Sequence, residues 1–212
     1  LLEYTTSWLG NSFSGGEKHV PMNVDALFYE SSRNRLYTNA EADEGEGEMT
    51  VFDAAAGTIS GYLPATHGYA REGGLAITAN NTYVYAGMMQ NHLAGQTGYP
   101  PSGTTWYAVR RYNAATLTPA TWTAGSGYDK TMLVINTSTD VTGLAVNAAG
   151  ELFVSDPSTD KIKVYNGTTM AFLREFALAR PRDIAIAPDG DLWVIRAGER
   201  ELAQEGHRRT VV

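Results

Sequence analysis

His67 and His92 are the side chains best placed to move protons near neutral pH, because an imidazole titrates there without help from its surroundings. They stand in the glycine-bearing stretches "THGY" and "NHLAG", with no serine or cysteine nucleophile motif nearby. Such lone histidines read first as polar surface. A second concentration of chemistry is "EADEGEGE", where Glu41, Asp43, Glu44, Glu46 and Glu48 are interspersed with Gly45 and Gly47. Clustered carboxylates offer hard oxygen donors, so Glu41, Asp43 and Glu44 are candidate ligands for calcium. The spacing is not that of an EF-hand, and a solvated acidic loop is the simpler reading. Tyr69, Tyr99, Trp106, Tyr107 and Tyr128 form a third group, suited to stacking on sugar rings or anchoring a protein partner. Trp106 also opens "WYAVRRY", whose alternation packs one ring of the Trp106–Tyr107 pair away from solvent. No G-x-S-x-G, H-E-x-x-H or phosphate-cradling glycine loop occurs.

The bounds on the whole chain are broad. Its 212 residues suffice for one all-β domain with a sizeable core. The net charge of −7 argues against a surface that tracks nucleic-acid phosphates, and Arg180, Arg182, Arg208 and Arg209 are too few and scattered to reverse that. With no cysteine there is neither a disulfide framework nor a thiolate metal site. No apolar run reaches the roughly 18 residues of a membrane-spanning helix. The first residue is leucine, so a removed leader or a longer parent chain is expected, with a secreted or cell-envelope location. Asn80, Asn136 and Asn166 open glycosylation triplets, which matter only in a eukaryotic secretory setting.

The elements that must position these groups announce themselves by repetition. An apolar strand recurs as "VDALFY", "GGLAIT", "TGLAVN" and "RDIAIA", and a second follows each as "RLYTNA", "TYVYAG", "ELFVSD" and "DLWVIR". Third strands are expected in "TVFDAAAGT", "RRYNAATLT" and "KVYNGTTMA", where Phe52, Tyr112 and Tyr165 are equivalent and Asp or Asn opens a tight turn. Fourth strands are expected in "TISGYL", "LTPATW" and "AFLREF". Such four-stranded units are β-propeller blades, and an open β-sandwich does not predict units that align in this way. The reading is an all-β, single propeller domain over residues 1–212, with antiparallel blades near 24–63, 73–122, 142–176 and 182–212. Residues 4–9, within "YTTSWLG", would be the outer strand that closes the last blade, and "RRTVV" a third strand.

"TGLAVNAAGELFVSDPSTDKIKVY" and "RPRDIAIAPDGDLWVI" resemble NHL-repeat propellers, with Asp156, Lys161, Ile162 and Val164 falling on that family's pattern. The first two blades match loosely, Ala40 and Gly87 standing where the pattern has a strand-ending Asp. Over residues 5–196 the chain also looks like long bacterial NHL-containing proteins of unassigned role. The resemblance implies a ring of about six blades, and so a chain that is part of a larger ring or is completed by another copy as a homo-oligomer. It implies no one reaction, since such propellers serve as protein- or RNA-binding platforms, lyases and relatives of lactonases.

In a propeller, strand 1–2 and 3–4 turns share one face, and here they are short. The 2–3 and blade-to-blade loops share the other, and here they are long: 40–48, 64–74, 87–105 and 123–141. Long loops in compact domains are usually functional, so a protein or carbohydrate partner is expected on that face. Asp25, Thr142, Arg182 and Asp183 begin inner strands at the axial mouth, where His67, Arg71, Glu72, His92 and Asp129 from the loops would join them, with Tyr99 and Trp106 as further ligand-binding candidates in or beside the long loops. A lactonase-like site needs converging Glu, Asn and Asp ligands on a divalent metal. Only Asp25 and Asp183 point that way, and no Glu begins an inner strand. A non-catalytic binding or assembly module is therefore the primary reading, and a metal-dependent hydrolase of a lactone or carbohydrate the alternative.

Overall fold

A computed structural model describes residues 23–41, 49–63, 73–91, 103–122, 131–196 and 210–211. They form four antiparallel sheets, each wound in chain order. The first is β1 (Asn23–Glu30), β2 (Arg35–Glu41), β3 (Met49–Asp53) and β4 (Thr58–Leu63). The second is β5 (Leu75–Ile77), β6 (Tyr83–Asn91), β7 (Thr105–Asn113) and β8 (Met132–Asn136). The third is β9 (Leu144–Val146), β10 (Glu151–Asp156), β11 (Lys161–Asn166) and β12 (Phe172–Ala177). The last shows three strands, β13 (Pro181–Ile186), β14 (Leu192–Arg196) and β15 (Thr210–Val211). The inner strands β1, β5, β9 and β13 stand side by side in that order, each on the next. The architecture is an arc of propeller blades.

The repeated turn between strands 3 and 4 has one physical cause. The side-chain oxygens of Asp53, Asn113 and Asn166 each accept two backbone N–H groups from the residues two and three positions on. That Asx geometry reverses the chain without help from the rest of the fold. The turns close at Gly57, Leu117 and Met170, all with positive φ. Leucine and methionine tolerate the conformation because their side chains are buried in the clusters between blades.

Three apolar clusters hold the arc, one in each gap between blades. Tyr37, Val51, Leu75, Val84 and Tyr112 fill the first gap, and Tyr85, Val109, Trp122, Leu144 and Leu152 the second. Phe153, Ile162, Val164, Ile184, Leu192 and Val194 fill the third. The strand period of two sends alternate residues to the preceding and the following blade. The pairs Leu27–Thr38, Leu75–Ala86, Leu144–Val154 and Ile184–Val194 are in equivalent register. Leu75, Leu144 and Ile184 each pack against the preceding blade. Leu27 and Tyr29, the matching residues of β1, are 58% and 53% exposed. At the other end Trp193 and Ile195, which continue the series of residues that face a following blade, are 39% and 63% exposed.

The second blade departs from the sequence expectation. Its outer strand is β8, not "LTPATW". The latter makes a short bridge to β7, through Tyr112 and Pro119, the Asn113 N–H to the Thr118 carbonyl and the Ala120 N–H to the Arg111 carbonyl. β8 then resumes the same edge opposite Tyr107–Arg110. Residues 132–136, expected within the blade-to-blade loop 123–141, are thus a strand of the second blade. Their local sequence does not reveal this, because only the pairing with β7 places them on its outer edge. The expected closing strand at 4–9 lies outside the described residues.

Candidate functional site

Inner strands crowd one another at the axis, and small residues permit it. A Cβ on Gly74 would collide with the Thr142 carbonyl, and one on Gly143 with the Arg182 carbonyl. The close approach is locked blade to blade. The Asn39 side-chain amide donates to the Gly73 carbonyl at 2.7 Å, the Gly74 N–H to the Val141 carbonyl at 3.0 Å, and the Thr142 hydroxyl to the Arg182 carbonyl at 2.9 Å. The first link ties β2 to the approach to β5, and the other two join the starts of β5, β9 and β13 into a rim.

The rim surrounds an axial recess of about 730 Å³ walled by all four inner strands. Its walls are mixed: Leu75, Ala76, Leu144, Ala145 and Ile184 are among the apolar residues, and Thr142, Arg182 and Asp183 bring polar side chains at the inner-strand starts. Partial loss of water at the crowded strand start raises the Asp183 carboxyl above its ordinary value, although the residue stays exposed, and the hydrogen bond from the Ile184 N–H opposes the shift. The Asp183 oxygen accepts that N–H at 2.9 Å.

A second, smaller recess of about 360 Å³ opens beside it, lined by Ser138, Thr139, Pro157, Ser158, Arg180 and Arg182. Three segments meet there: the β8–β9 link, the β10–β11 turn and the approach to β13. The first is shaped by Asn136, whose side-chain oxygen accepts the N–H groups of Ser138 and Thr139, both at 2.9 Å. The second is shaped by Asp156, which is fully buried and paired with Lys163 at 2.6 Å. Asp156 also accepts hydrogen bonds from Ser158, Thr159 and the Asn136 amide. Burial alone would raise the Asp156 carboxyl, but Lys163 and the two hydroxyls outweigh it and hold the group below the usual carboxylate range. No local sequence pattern announces the ion pair of Asp156, since Lys163 is a partner only through the β10–β11 register.

Of the residues singled out from sequence, the structure brings Thr142, Arg182 and Asp183 together at the axial recess. Asp25 lies at an irregularity of β1, between Val24 and Ala26, and Glu41 ends β2 opposite Asn23. Trp106 is buried, 8% exposed, against Met88, Ala108 and Met132, so its ring is a packing element between strands and not a stacking surface. His67, Arg71, His92, Tyr99, Asp129, Asp43 and Glu44 lie outside the described residues. Among the described residues no three His, Asp or Glu side chains converge as a metal cluster would. No helix among them is long and apolar enough to cross a membrane.

No family model matches the sequence, and no curated protein matches it. Solved structures do match in shape. U3-55K is 11% identical with a TM-score of 0.54, over 92% of this chain and 53% of its own. The RRP9 WD40 repeats are 11% identical with a TM-score of 0.55, over 92% of this chain and 52% of theirs. A luciferin-regenerating enzyme is 15% identical with a TM-score of 0.52, over 81% of this chain and 53% of its own. At such identities the likeness is one of fold. The class is therefore a β-propeller, and the chain spans about half the length of the solved chains it matches.

Proposed function

We propose that this chain is a non-catalytic propeller module of NHL type that binds a partner on the face bearing its long 2–3 and blade-to-blade connections. The observation that carries the reading is the asymmetry between the two faces. One holds short turns closed by their own Asx bonds at Asp53, Asn113 and Asn166. The other carries the axial mouth and the smaller recess, and the long connections of the sequence, such as the one joining β6 to β7, begin and end on that side. The NHL assignment draws on "TGLAVNAAGELFVSDPSTDKIKVY". In this reading, blade edges and end faces assemble with further blades.

The test is capture of a partner by the immobilised protein, repeated after deletion of residues 93–103. Binding should disappear while the β-sheet circular dichroism is unchanged. Binding that survives the deletion and is lost on substitution of the opposite turns, at Asn80 or Ala148, overturns the proposal. The hydrolase alternative draws on Asp183 at the axial recess. Its check is elemental analysis of the purified protein, where a stoichiometric divalent metal, lost on Asp183→Ala, would favour it.

A further inference from the structure

We propose that the smaller recess, between the β8–β9 link, the β10–β11 turn and the start of β13, binds a carboxylate group carried on an extended segment of a protein partner. The inference rests on the face assigned above and names the chemistry by which that face would recognise its partner. Arg180 and Arg182 both line the recess. Among the described residues neither guanidinium is engaged by a carboxylate, although acidic side chains are close at hand. Those carboxylates are held by backbone instead: Asp160 accepts the Arg180 N–H at 2.7 Å, and Asp183 accepts the Ile184 N–H at 2.9 Å. Two forked donors are thus left facing a common recess, and a guanidinium pairs best with a planar oxyanion.

The backbone is fixed at both arginines, whose side chains are exposed. Arg180 has a left-handed conformation, φ 47°, an uncommon state for a long side chain. Its amide bond to Asp160 fixes that geometry. Pro181 between the two is buried, and the Arg182 carbonyl is held by Thr142. Ser138 and Thr139 add hydroxyls from the opposite wall, on a link itself set by Asn136. Ser158 is not available as a donor, since its hydroxyl donates to Asp156. Pro157 contributes an apolar surface for methylene groups.

The charge balance selects the ligand. Asp160 and Asp183, each adjoining one of the arginines, reduce the local positive field. That favours a singly charged carboxylate over a doubly charged phosphate. A volume of about 360 Å³ suits one side chain of a longer segment and not a folded domain. The overall charge of −7 disfavours a polyanion such as nucleic acid.

The experiment measures binding of a fluorescein-labelled, glutamate-rich decapeptide by anisotropy. Its controls are the same peptide with glutamine, the same peptide with phosphoserine, and inorganic phosphate as competitor. The glutamate peptide should bind and weaken as salt is raised, and the glutamine peptide should bind at least tenfold more weakly. The double variant Arg180→Gln/Arg182→Gln should lose at least tenfold in affinity with its melting temperature unchanged, and Ser138→Ala/Thr139→Val should lose a fewfold. Equal binding of the glutamine peptide, or full affinity in the arginine variant, overturns the proposal. Tenfold tighter binding of the phosphoserine peptide, or displacement by equimolar phosphate, overturns the choice of carboxylate. Failure here with partner capture still lost on deletion of 93–103 leaves the functional reading intact. Glutamate-peptide binding at the arginines with partner capture mapped to the opposite turns would refute that reading alone.

Discussion

Asp156 shows how one buried side chain can organise the walls of a recess. It joins the β10–β11 turn to the β8–β9 link through Asn136, and it neutralises Lys163 in the interior. Removing one member of a buried ion pair leaves the other charge uncompensated, which costs about 3–5 kcal/mol. Asp156→Ala should therefore lower stability by about that amount in urea denaturation. The pH dependence has a definite sign. A carboxyl held below its ordinary value contributes stability that is complete above the unfolded value of about 3.9 and is lost as pH falls through the folded value. The urea midpoint of the native protein should fall steeply below about pH 4. Asp156→Asn should be less stable at neutral pH and flatter across that acidic window.

Between blades, the joint is made by a cation as well as by apolar packing. Arg111 of β7 lies between the rings of Tyr83 and Trp122, 4.3 and 4.8 Å from their centroids. It also donates to the carbonyls of Gly167 and Thr168 on the third blade, at 3.1 and 3.0 Å, and to that of Thr121, just after the segment that bridges β7. A lysine supplies one point charge and cannot span these acceptors while stacked between rings. Arg111→Lys should cost about 2–3 kcal/mol through lost charge-assisted hydrogen bonds, read from the thermal transition of tryptophan fluorescence. At the axis the limit is steric. Gly143→Ala should cost about 2–3 kcal/mol by overpacking, because the Arg182 carbonyl it would meet is backbone and has little freedom to yield. Urea denaturation of the alanine variant checks this, and a neutral result would mean that the blades can separate at the rim.

The described arc ends in two walls whose exposed residues hold core positions elsewhere in the fold. Leu27 and Tyr29 stand where Leu75 and Ile77 meet a preceding blade, and Trp193 and Ile195 face outward where a following blade would sit. Apolar sheet faces of this kind mark interfaces. Ile195→Asp should therefore destabilise the protein by about 2–4 kcal/mol, as a charge at a covered core position does. A change within about 0.5 kcal/mol, the range of ordinary surface substitutions, would show that this wall remains in solvent. Light scattering on the same samples reports whether the covering blade comes from another copy.

The blade itself was legible in the amino-acid sequence. Alternating apolar residues, tight Asp and Asn turns, and glycines at inner-strand starts act over a few residues, and each works the same way in every repeat. Asp53, Asn113 and Asn166 are the clearest case, since each needs only its own neighbours to turn the chain. The site was legible in part, because Arg182 and Asp183 open an inner strand and so must lie near the axis. Tertiary structure alone decided the rest. The split outer edge of the second blade depends on which residues of β7 are left unpaired. Burial of Trp106 depends on Met88 and Met132 from neighbouring strands. The pairing of Asp156 with Lys163, and the meeting of Arg180 and Arg182 with Ser138 and Thr139, join residues that no local pattern relates. Local propensity sets a strand or a turn, whereas a recess exists only where separate segments converge, and that convergence is fixed by register and by packing between blades.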